Sequence, residues 1–330
     1  MVIQTVLRSW RNGSNRKNMS KQQSHFDLKS IPNKVWGLIR NQIVARKHGR
    51  VVKFWQPLIT DYFEGKIKKN SLRAKQQISK KVIWQYWGQL NDGSPLPAVV
   101  QRCFDSVDKY KGDYQVVRLN DSNIREYLDF PDFVWKTEDE TKFSKVFFSD
   151  LLRLALLHVY GGVWLDATIL LTAPLPEKFS NQDYFVFQRS DDEPNKSFWA
   201  GPHTSYWSWD PRYRVKMLNS IIFAKKGSVL IATMVDLILH YWKTQDQIIN
   251  YFFFQILYDE LVNGELKNLK CTVVSDTLPH VLRVLVDGND YMPLADLLKK
   301  VNMHKLTYFE DKRIAELDKL LTLADVKDQH

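Results

Sequence analysis

The apolar positions between residues 81 and 119 follow the order strand, helix, strand. A run of β-branched and aromatic residues at 81–88 predicts a buried strand, and the turn residues after it mark its end. Helical spacing at 97–109 and a second apolar run at 114–119 complete the unit. The sequence therefore predicts an α/β core that begins near residue 81.

A longer helix is predicted from 142 to 159, where apolar residues recur every three or four positions. Gly161 and Gly162 end this helix, and the apolar run 163–165 predicts the next strand. Asp166 follows at the end of that strand. Because ligands bind at strand ends in open α/β sheets, Asp166 is a candidate site residue.

Other parts of the chain carry weaker patterns. The stretch 181–215 is dense in Trp, Tyr, Pro and Asp, which predicts a long irregular loop. One or two helices are predicted over 32–63, with breaks near His48 and Pro57. The remaining predicted elements are strands at 169–171 and 271–274, helices at 227–242 and 246–262, and an amphipathic helix over 314–324.

The net charge of +10 is concentrated at one end of the chain. Residues 1–81 hold 19 Lys and Arg against three acidic residues, a net charge of +16, whereas 82–330 carry −6. This asymmetry predicts two regions, a basic helical N-terminal segment at 1–80 and an α/β domain at 81–330.

The basic segment allows three interpretations. Apolar residues such as Trp36 and Ile39 alternate with Lys34 and Arg40, a pattern that suits an anionic membrane surface along 28–81. A nucleic-acid partner and a simply solvated basic face are the alternatives. We favour reversible attachment to the inner face of the cell membrane and expect no nucleic-acid partner.

The composition excludes several classes of protein. Cys103 and Cys271 are far apart and belong to no Cys/His cluster, which argues against a disulfide framework and a zinc site. No long apolar stretch resembles a signal peptide or a membrane span. These features predict a protein of the reducing cytoplasm.

The candidate chemistry lies around the predicted helix 142–159. Asp150 and Arg153 are three residues apart and share one helix face, next to the strand that ends at Asp166. A carboxylate and a guanidinium together supply the acceptor and donor groups that sugar hydroxyls require. Asp166 is suited to hold a divalent cation that bridges a diphosphate.

An ordinary structural explanation competes with this interpretation. Asp150 and Arg153 would then be a surface ion pair of small energetic value, and Asp166 would merely end a strand. However, both charges of the pair lie in a strongly apolar helix, where burying an unpaired charge is costly. The combination therefore favours a functional site.

The residues from Ser149 to Arg153, followed by the segment Tyr160 to Thr168, resemble the sugar-binding region that contains the DXD motif. The sequence resembles the capsular polysaccharide synthesis glycosyltransferases, mainly over 80–310. That family is related to a group of mannosyltransferases and to the glucosylating domains of clostridial toxins. The resemblance implies a GT-A type, Rossmann-like mixed sheet flanked by helices, here with an N-terminal helical extension.

By position, the resemblance implies that Asp150 and Arg153 hold the donor sugar, that Gly162 lies in the donor site, and that Asp166 contacts the ribose and the metal. The cation implied is Mn²⁺ or Mg²⁺. Thr168 stands where the motif has its second Asp, and a hydroxyl is a weaker ligand than a carboxylate.

Two further segments take roles from the resemblance. His304 is implied as a metal ligand and Lys305 as a contact of the pyrophosphate. Trp84, Gln85 and Trp87 lie on or directly after the first strand, whose end is implied to pack against the base and ribose of the donor. As ordinary residues, Trp84 and Trp87 would be core rings and His304 a structural histidine.

The resemblance implies hexose transfer from a nucleotide-sugar, with UDP-sugars favoured, to a glycan or polyprenyl-diphosphate-linked acceptor, with retention. Two alternatives stay open: an inactive glycan- or nucleotide-binding protein of the same fold, and a nucleic-acid-binding protein. Asn219 and Asp246 are weaker candidates for sugar or acceptor contacts.

Overall fold

The computed structural model describes residues 33–70, 72–90, 93–139, 143–201, 206–309 and 311–327. The strands are β1 (Arg73–Ala74), β2 (Val82–Tyr86), β3 (Gln115–Leu119), β4 (Leu128–Asp129), β5 (Gly162–Leu165), β6 (Ile169–Leu171), β7 (Tyr184–Gln188), β8 (Met217–Ala224) and β9 (Met303–Lys305).

The described helices are α1 (Asn33–Phe63), α2 (Ala98–Tyr110), α3 (Ile124–Tyr127), α4 (Asp132–Asp139), α5 (Lys145–Tyr160), α6 (Glu177–Ser180), α7 (Lys196–Ala200), α8 (Val229–Thr244), α9 (Phe253–Asn263), α10 (Val281–Val286), α11 (Leu294–Lys300) and α12 (Asp311–Lys327), with single 3-10 turns at Lys267–Leu269 and Leu278–His280. The longest of the described helices is α1, with 31 residues.

The central sheet has the strand order β3-β2-β5-β8-β7. Strands β3, β2 and β5 are parallel, whereas β8 runs antiparallel to both β5 and β7. Small antiparallel pairs, β1 with β4 and β6 with β9, lie outside it. The fold predicted from the sequence, an α/β mixed sheet flanked by helices, is confirmed.

The predicted helix–strand unit around the motif is also confirmed. Helix α5 buries most of its length, because its apolar residues continue around the helix rather than forming one stripe. Gly161 ends the helix with φ +75° and donates its backbone N–H to the Leu157 carbonyl at 2.9 Å. A side chain at Gly161 would meet the backbone nitrogen of Lys226 at 2.6 Å, so this turn requires glycine.

Two predictions about strands were wrong. The stretch 181–215 was predicted to be a loop, but it contains strand β7, whose residues are all buried. Strand β8 begins at Met217, just after the end of this stretch. The segment 271–274 is not a strand, although it runs beside β7, where the Val274 carbonyl accepts from the Gln188 N–H at 2.8 Å. A single bridge, between Gln188 and Ser275, joins the two segments.

Helix α1 is continuous through both positions where breaks were predicted. Pro57 lies inside it, and His48 is buried, where its ring accepts the Arg214 backbone N–H at 3.2 Å. Tertiary contacts therefore override the local helix-breaking tendency. Trp55 is fully buried and donates its indole N–H to the Phe253 carbonyl at 2.9 Å.

The chain divides into two compact units between Ile43 and Val44, whereas the sequence-based division lies after residue 80. Within the second unit, α1 contributes Val51, Trp55, Ile59 and Tyr62 to the hydrophobic core. Of the proposed membrane-facing segment 28–81, residues 28–32 and 71 lie outside the described residues. Every helix in the described part of the chain is too short or too polar to cross a bilayer.

Candidate active site

The candidate site lies at the edge of the central sheet where β2 and β5 end. Asp166 follows β5 directly, and its backbone N–H donates to the Ser220 carbonyl of β8 at 2.9 Å. Because β8 is antiparallel to β5, Asn219 of β8 reaches the same edge. The site therefore combines residues distant in sequence at one strand end.

Arg153 is the most heavily bonded side chain of the site. Its guanidinium donates to the Ser149 carbonyl at 3.1 Å, to Ser149 Oγ at 3.0 Å and to the Asn219 carbonyl at 2.6 Å. Its Nη2 lies 3.3 Å from Asp150 Oδ1 and 3.7 Å from Asp166 Oδ1. Arg153 is buried and joins the helix carboxylate to the strand-end carboxylate.

Asp150 is buried beside Arg153 and accepts a hydrogen bond from Asn219 Nδ2 at 3.0 Å. Burial raises the pKa of Asp150 from 3.8 to about 6, Arg153 and Asn219 oppose that rise, and Asp166 adds to it. Asp150 and Arg153 are therefore a buried ion pair, and not the surface ion pair of small energetic value that was the alternative explanation.

We expect this raised pKa to appear in the pH dependence of stability. Between the unfolded and folded pKa values the folded state binds a proton that the unfolded state has lost, so stability falls as the pH rises toward 6. Relative to Asp150→Asn, the free energy of unfolding of the wild type should fall by about 2 kcal/mol from about pH 4 to pH 7. Urea unfolding of both proteins across this range measures it; a constant difference would contradict the assignment.

Asp166 faces two cations and remains accessible. Its Oδ1 accepts the Trp164 indole N–H at 2.8 Å, and its Oδ2 lies 3.8 Å from the Lys305 ammonium. The Lys305 ammonium also donates to the Thr168 hydroxyl. The Asp166 side chain is 25% exposed and that of Lys305 is 22% exposed, so both can meet a ligand.

His304 occupies the opposite face of strand β9 from Lys305. Its Nε2 lies 3.1 Å from the Thr172 hydroxyl, and its backbone pairs with Leu170 of β6. Burial lowers the pKa of His304 to about 3, so the ring is neutral. The structure does not bring His304 to Asp166, and its role as a metal ligand stays a prediction.

The residues around Asp166 do not fit a divalent cation as they are arranged. Within the described ranges no group of three or more His, Cys, Asp or Glu side chains converges on one point. Asp166 is flanked by Arg153 and Lys305, and Thr168 already accepts from Lys305. Since unit charges about 4 Å apart near a protein surface interact by about 4 kcal/mol, each flanking cation would repel a divalent ion by roughly twice that.

The β2 residues divide between core and site. Trp84 is fully buried and donates its indole N–H to the Gly161 carbonyl at 3.0 Å, at the end of β5 away from Asp166. Gln85 is buried as well, accepts from Arg118 at 3.1 Å, and leaves its Nε2 without a partner. Trp87 follows the strand and is partly exposed.

Tyr308 is a site residue that the sequence-based prediction missed. Its ring centroid lies 6.2 Å from that of Trp87, and it is 40% exposed. Burial of the hydroxyl and the Asp166 charge raise the pKa of Tyr308. Trp87 and Tyr308 thus form a pair of aromatic rings, of which Tyr308 is near enough to Asp166 to be influenced by its charge, and such a pair is suited to contact a nucleobase.

Gly162 starts β5 at the end of the strand opposite Asp166, so its position is explained by backbone packing. It has φ +100°, and a Cβ there would lie 2.4 Å from the Val82 carbonyl oxygen and 2.7 Å from Val82 Cγ1. Its implied place in the donor site stays a prediction.

We expect Gly162→Ala to destabilise the fold by about 2–4 kcal/mol, since it adds a backbone clash to an unfavourable φ. Gly227→Ala is the matched control, because Gly227 has φ +77° but no atom within 4 Å of the added Cβ. The control should lose about 1 kcal/mol. Denaturant unfolding of the two variants measures the difference, and equal losses would contradict the packing explanation.

Comparison with known proteins identifies the family. Residues 35–322 match the family described as capsular polysaccharide synthesis protein, which is most of the chain. The chain belongs to the capsular polysaccharide synthesis protein family. The recognition made from the motif is therefore confirmed.

Among relatives of this family member, an O-glycosyltransferase, braB, of Annulohypoxylon truncatum is 28% identical over 174 residues. That alignment covers 50% of this chain and 38% of the relative, so the chain matches well under half of the relative's length.

Two solved structures are similar to the capsular polysaccharide synthesis family member over much of its length. The PaToxG glycosyltransferase is 15% identical with a TM-score of 0.38, over 86% of this chain and 96% of that chain. The apo-form glycosyltransferase GlyE of Streptococcus pneumoniae TIGR4 is 12% identical with a TM-score of 0.39, over 76% and 64% of the two chains.

In this family member the structure brings together four of the site residues selected from the sequence, which are Asp150, Arg153, Asp166 and Lys305. Asn219 joins the same cluster. Thr168 joins them through Lys305. Asn219, a weaker candidate from the sequence, contacts both Asp150 and Arg153.

Proposed function

We propose that this chain is a glycosyltransferase of the GT-A type that moves a hexose from a nucleotide-sugar, with UDP-sugars favoured as donors, to a glycan or lipid-linked oligosaccharide in capsular or exopolysaccharide synthesis. The observation that carries the proposal is the connected cluster of Asp150, Arg153, Asp166 and Lys305 at the sheet edge. Family membership and the similarity to an O-glycosyltransferase support it.

Each side chain of the cluster has a role in this proposal. Asp150 accepts hydrogen bonds from hydroxyls of the donor sugar, and Arg153 donates hydrogen bonds to them. Asn219 holds the Asp150 side chain in place, and Ser149 holds that of Arg153. Lys305 faces the diphosphate. Trp87 and Tyr308 contact the base through their rings.

We propose transfer with retention, by displacement on the face from which the diphosphate leaves. The bond between the anomeric carbon and the diphosphate oxygen breaks, and its electron pair stays with the diphosphate. The acceptor hydroxyl oxygen bonds to the same carbon, and its proton passes to the departing diphosphate. The basis is the family resemblance.

A donor screen tests the proposal. The full chain is incubated with UDP- and GDP-hexoses in Mn²⁺, in Mg²⁺ and in chelator, and release of the nucleoside diphosphate is followed. At least one donor should be hydrolysed faster than in a control without protein. Binding of UDP without any turnover would instead favour the inactive nucleotide-binding alternative, and binding of neither donor would reject the site.

We also propose that residues 1–43, the first part of the basic N-terminal segment, attach the protein to the inner, anionic face of a membrane, where a lipid-linked acceptor is found. Residues 1–43 hold eight Lys and Arg against one Asp. Because the core includes Trp55 of α1, truncation must stop before Val44 rather than at residue 80.

Removal of residues 1–43 should weaken sedimentation with anionic vesicles by at least about ten-fold, since a net charge of +7 is lost. Vesicles of zwitterionic lipid are the control and should bind neither protein. Equal sedimentation of the truncated and full chains with anionic vesicles would show that the segment is not the anchor.

A further inference from the structure

The Lys305 ammonium lies between the first and third positions of the DXD-like motif. It donates to the Thr168 hydroxyl and lies 3.8 Å from Asp166 Oδ2. In the motif that this sequence resembles, these two positions are carboxylates that share a divalent cation. Here one of them is a hydroxyl, and a cationic side chain of the protein itself contacts both.

The backbone fixes the lysine in this position. Strands β6 and β9 pair Ile169 with Lys305, and the Leu306 N–H donates to the Thr168 carbonyl at 2.9 Å. Hydrogen bonds on both sides of Lys305 therefore set its register against Thr168. Because Thr168 and Asp166 also hold the Lys305 ammonium, this side chain loses less freedom on binding a ligand than an unrestrained lysine would.

A second cation completes the arrangement. Arg153 Nη2 lies 3.7 Å from Asp166 Oδ1, on the other oxygen of the same carboxylate. Arg153 is buried, whereas Lys305 is partly exposed. Asp150 and Asp166 balance the two cations, so the arriving diphosphate meets a neutral cluster with a lysine at its surface.

We propose that Lys305, held by Thr168 and Asp166 and supported by Arg153, supplies the positive charge at the donor diphosphate, so that donor binding and transfer proceed without a divalent cation. The inference rests on the proposed function. When the anomeric carbon–oxygen bond breaks, the electron pair stays on the diphosphate oxygen, next to the Lys305 ammonium. The acceptor proton passes to that diphosphate, and no charge needs to come from a metal.

Binding of UDP and GDP to the full chain, measured by titration calorimetry in EDTA and in Mn²⁺, tests the inference. For the nucleotide that binds, the dissociation constant measured in EDTA should lie within about three-fold of the dissociation constant measured in Mn²⁺. Lys305→Met should weaken binding by about 30-fold or more in both buffers, because a charge-assisted contact is lost. Lys305→Arg keeps the cation and should stay within about ten-fold of the wild type.

The exposed Lys300 provides a matched control, since Lys300→Met removes the same charge outside the site and should bind like the wild type. The comparison of wild-type binding in EDTA and in Mn²⁺ tests the inference even if Lys305→Met fails to fold. Binding that is lost in EDTA and restored by Mn²⁺ would overturn the inference while supporting the donor site. Binding of neither nucleotide in either buffer would overturn the donor site itself.

Replacing both Thr168 and Lys305 should make nucleotide binding depend on Mn²⁺. In Thr168→Asp combined with Lys305→Met, two carboxylates face each other without the lysine, which is a donor set for Mn²⁺. Nucleotide binding to this variant should be stronger in Mn²⁺ than in EDTA by at least about ten-fold. An equal dependence on Mn²⁺ in the wild type would overturn the inference.

Discussion

Asp166→Asn should reduce sugar transfer by about 10³-fold or more, while the protein remains folded. The amide oxygen can still accept the Trp164 indole N–H, so local geometry is kept. The negative charge that balances Arg153 and Lys305 is lost, and Lys305 loses one of the two groups that hold its ammonium in the position that a donor requires. Initial rates of transfer or donor hydrolysis, with a thermal melt beside them, measure the effect.

Asp318→Asn is the control for this prediction. Asp318 also pairs with an arginine, Arg102, at 2.5 Å, but on the C-terminal helix. This variant should keep the wild-type rate. Wild-type activity in Asp166→Asn would remove Asp166 from the mechanism, and equal losses in the two variants would indicate a general effect on the fold.

Arg153→Met should affect both stability and activity. It leaves the buried Asp150 carboxylate without its cation, a change that costs about 3–5 kcal/mol. For a chain of this size the expected fall in Tm is about 4–7 °C. Transfer should become undetectable, because the guanidinium connects the sugar-binding carboxylate to Asp166. Calorimetric melting and rate measurements on the same samples test both parts.

A second substitution separates the two effects. Asp150→Asn in the Arg153→Met background removes the buried charge, so part of the lost stability should return. Activity should not return, because neither polar group for the sugar is restored. Recovery of activity along with stability would mean that Arg153 acts only on the fold.

The sequence was most informative where local pattern and chemistry coincide. Helical apolar spacing located α5, the glycine pair located its end, and both placed Asp150 and Arg153 beside Asp166. These relations span few residues, so periodicity alone determines them. The α/β class followed from the same alternation of elements.

Long-range pairing was less accessible from the sequence. Asn219 lies on β8, which was not predicted, and it reaches Asp150 only because β8 runs antiparallel to β5. Tyr308 meets Trp87 across a distance in sequence that no periodic pattern covers. The adjacent aromatic run in β7 was assigned to a loop, although a continuous apolar run is typical of a buried strand.

Alternation along a strand distinguishes two neighbours that the resemblance treated together. Lys305 faces Thr168 and Asp166, whereas His304 faces Thr172. This distinction needs the register of β6 and β9, which the short sequence around His304 does not contain.

A crystal structure of the full chain with an intact, non-hydrolysable UDP-hexose shows directly where the donor binds. We expect the diphosphate at hydrogen-bond distance from Lys305, the hexose hydroxyls on Asp150 and Arg153, and the base against Trp87 and Tyr308. A nucleotide bound elsewhere, for example at the opposite sheet end beside Lys80 and Lys225, would contradict the proposed donor site.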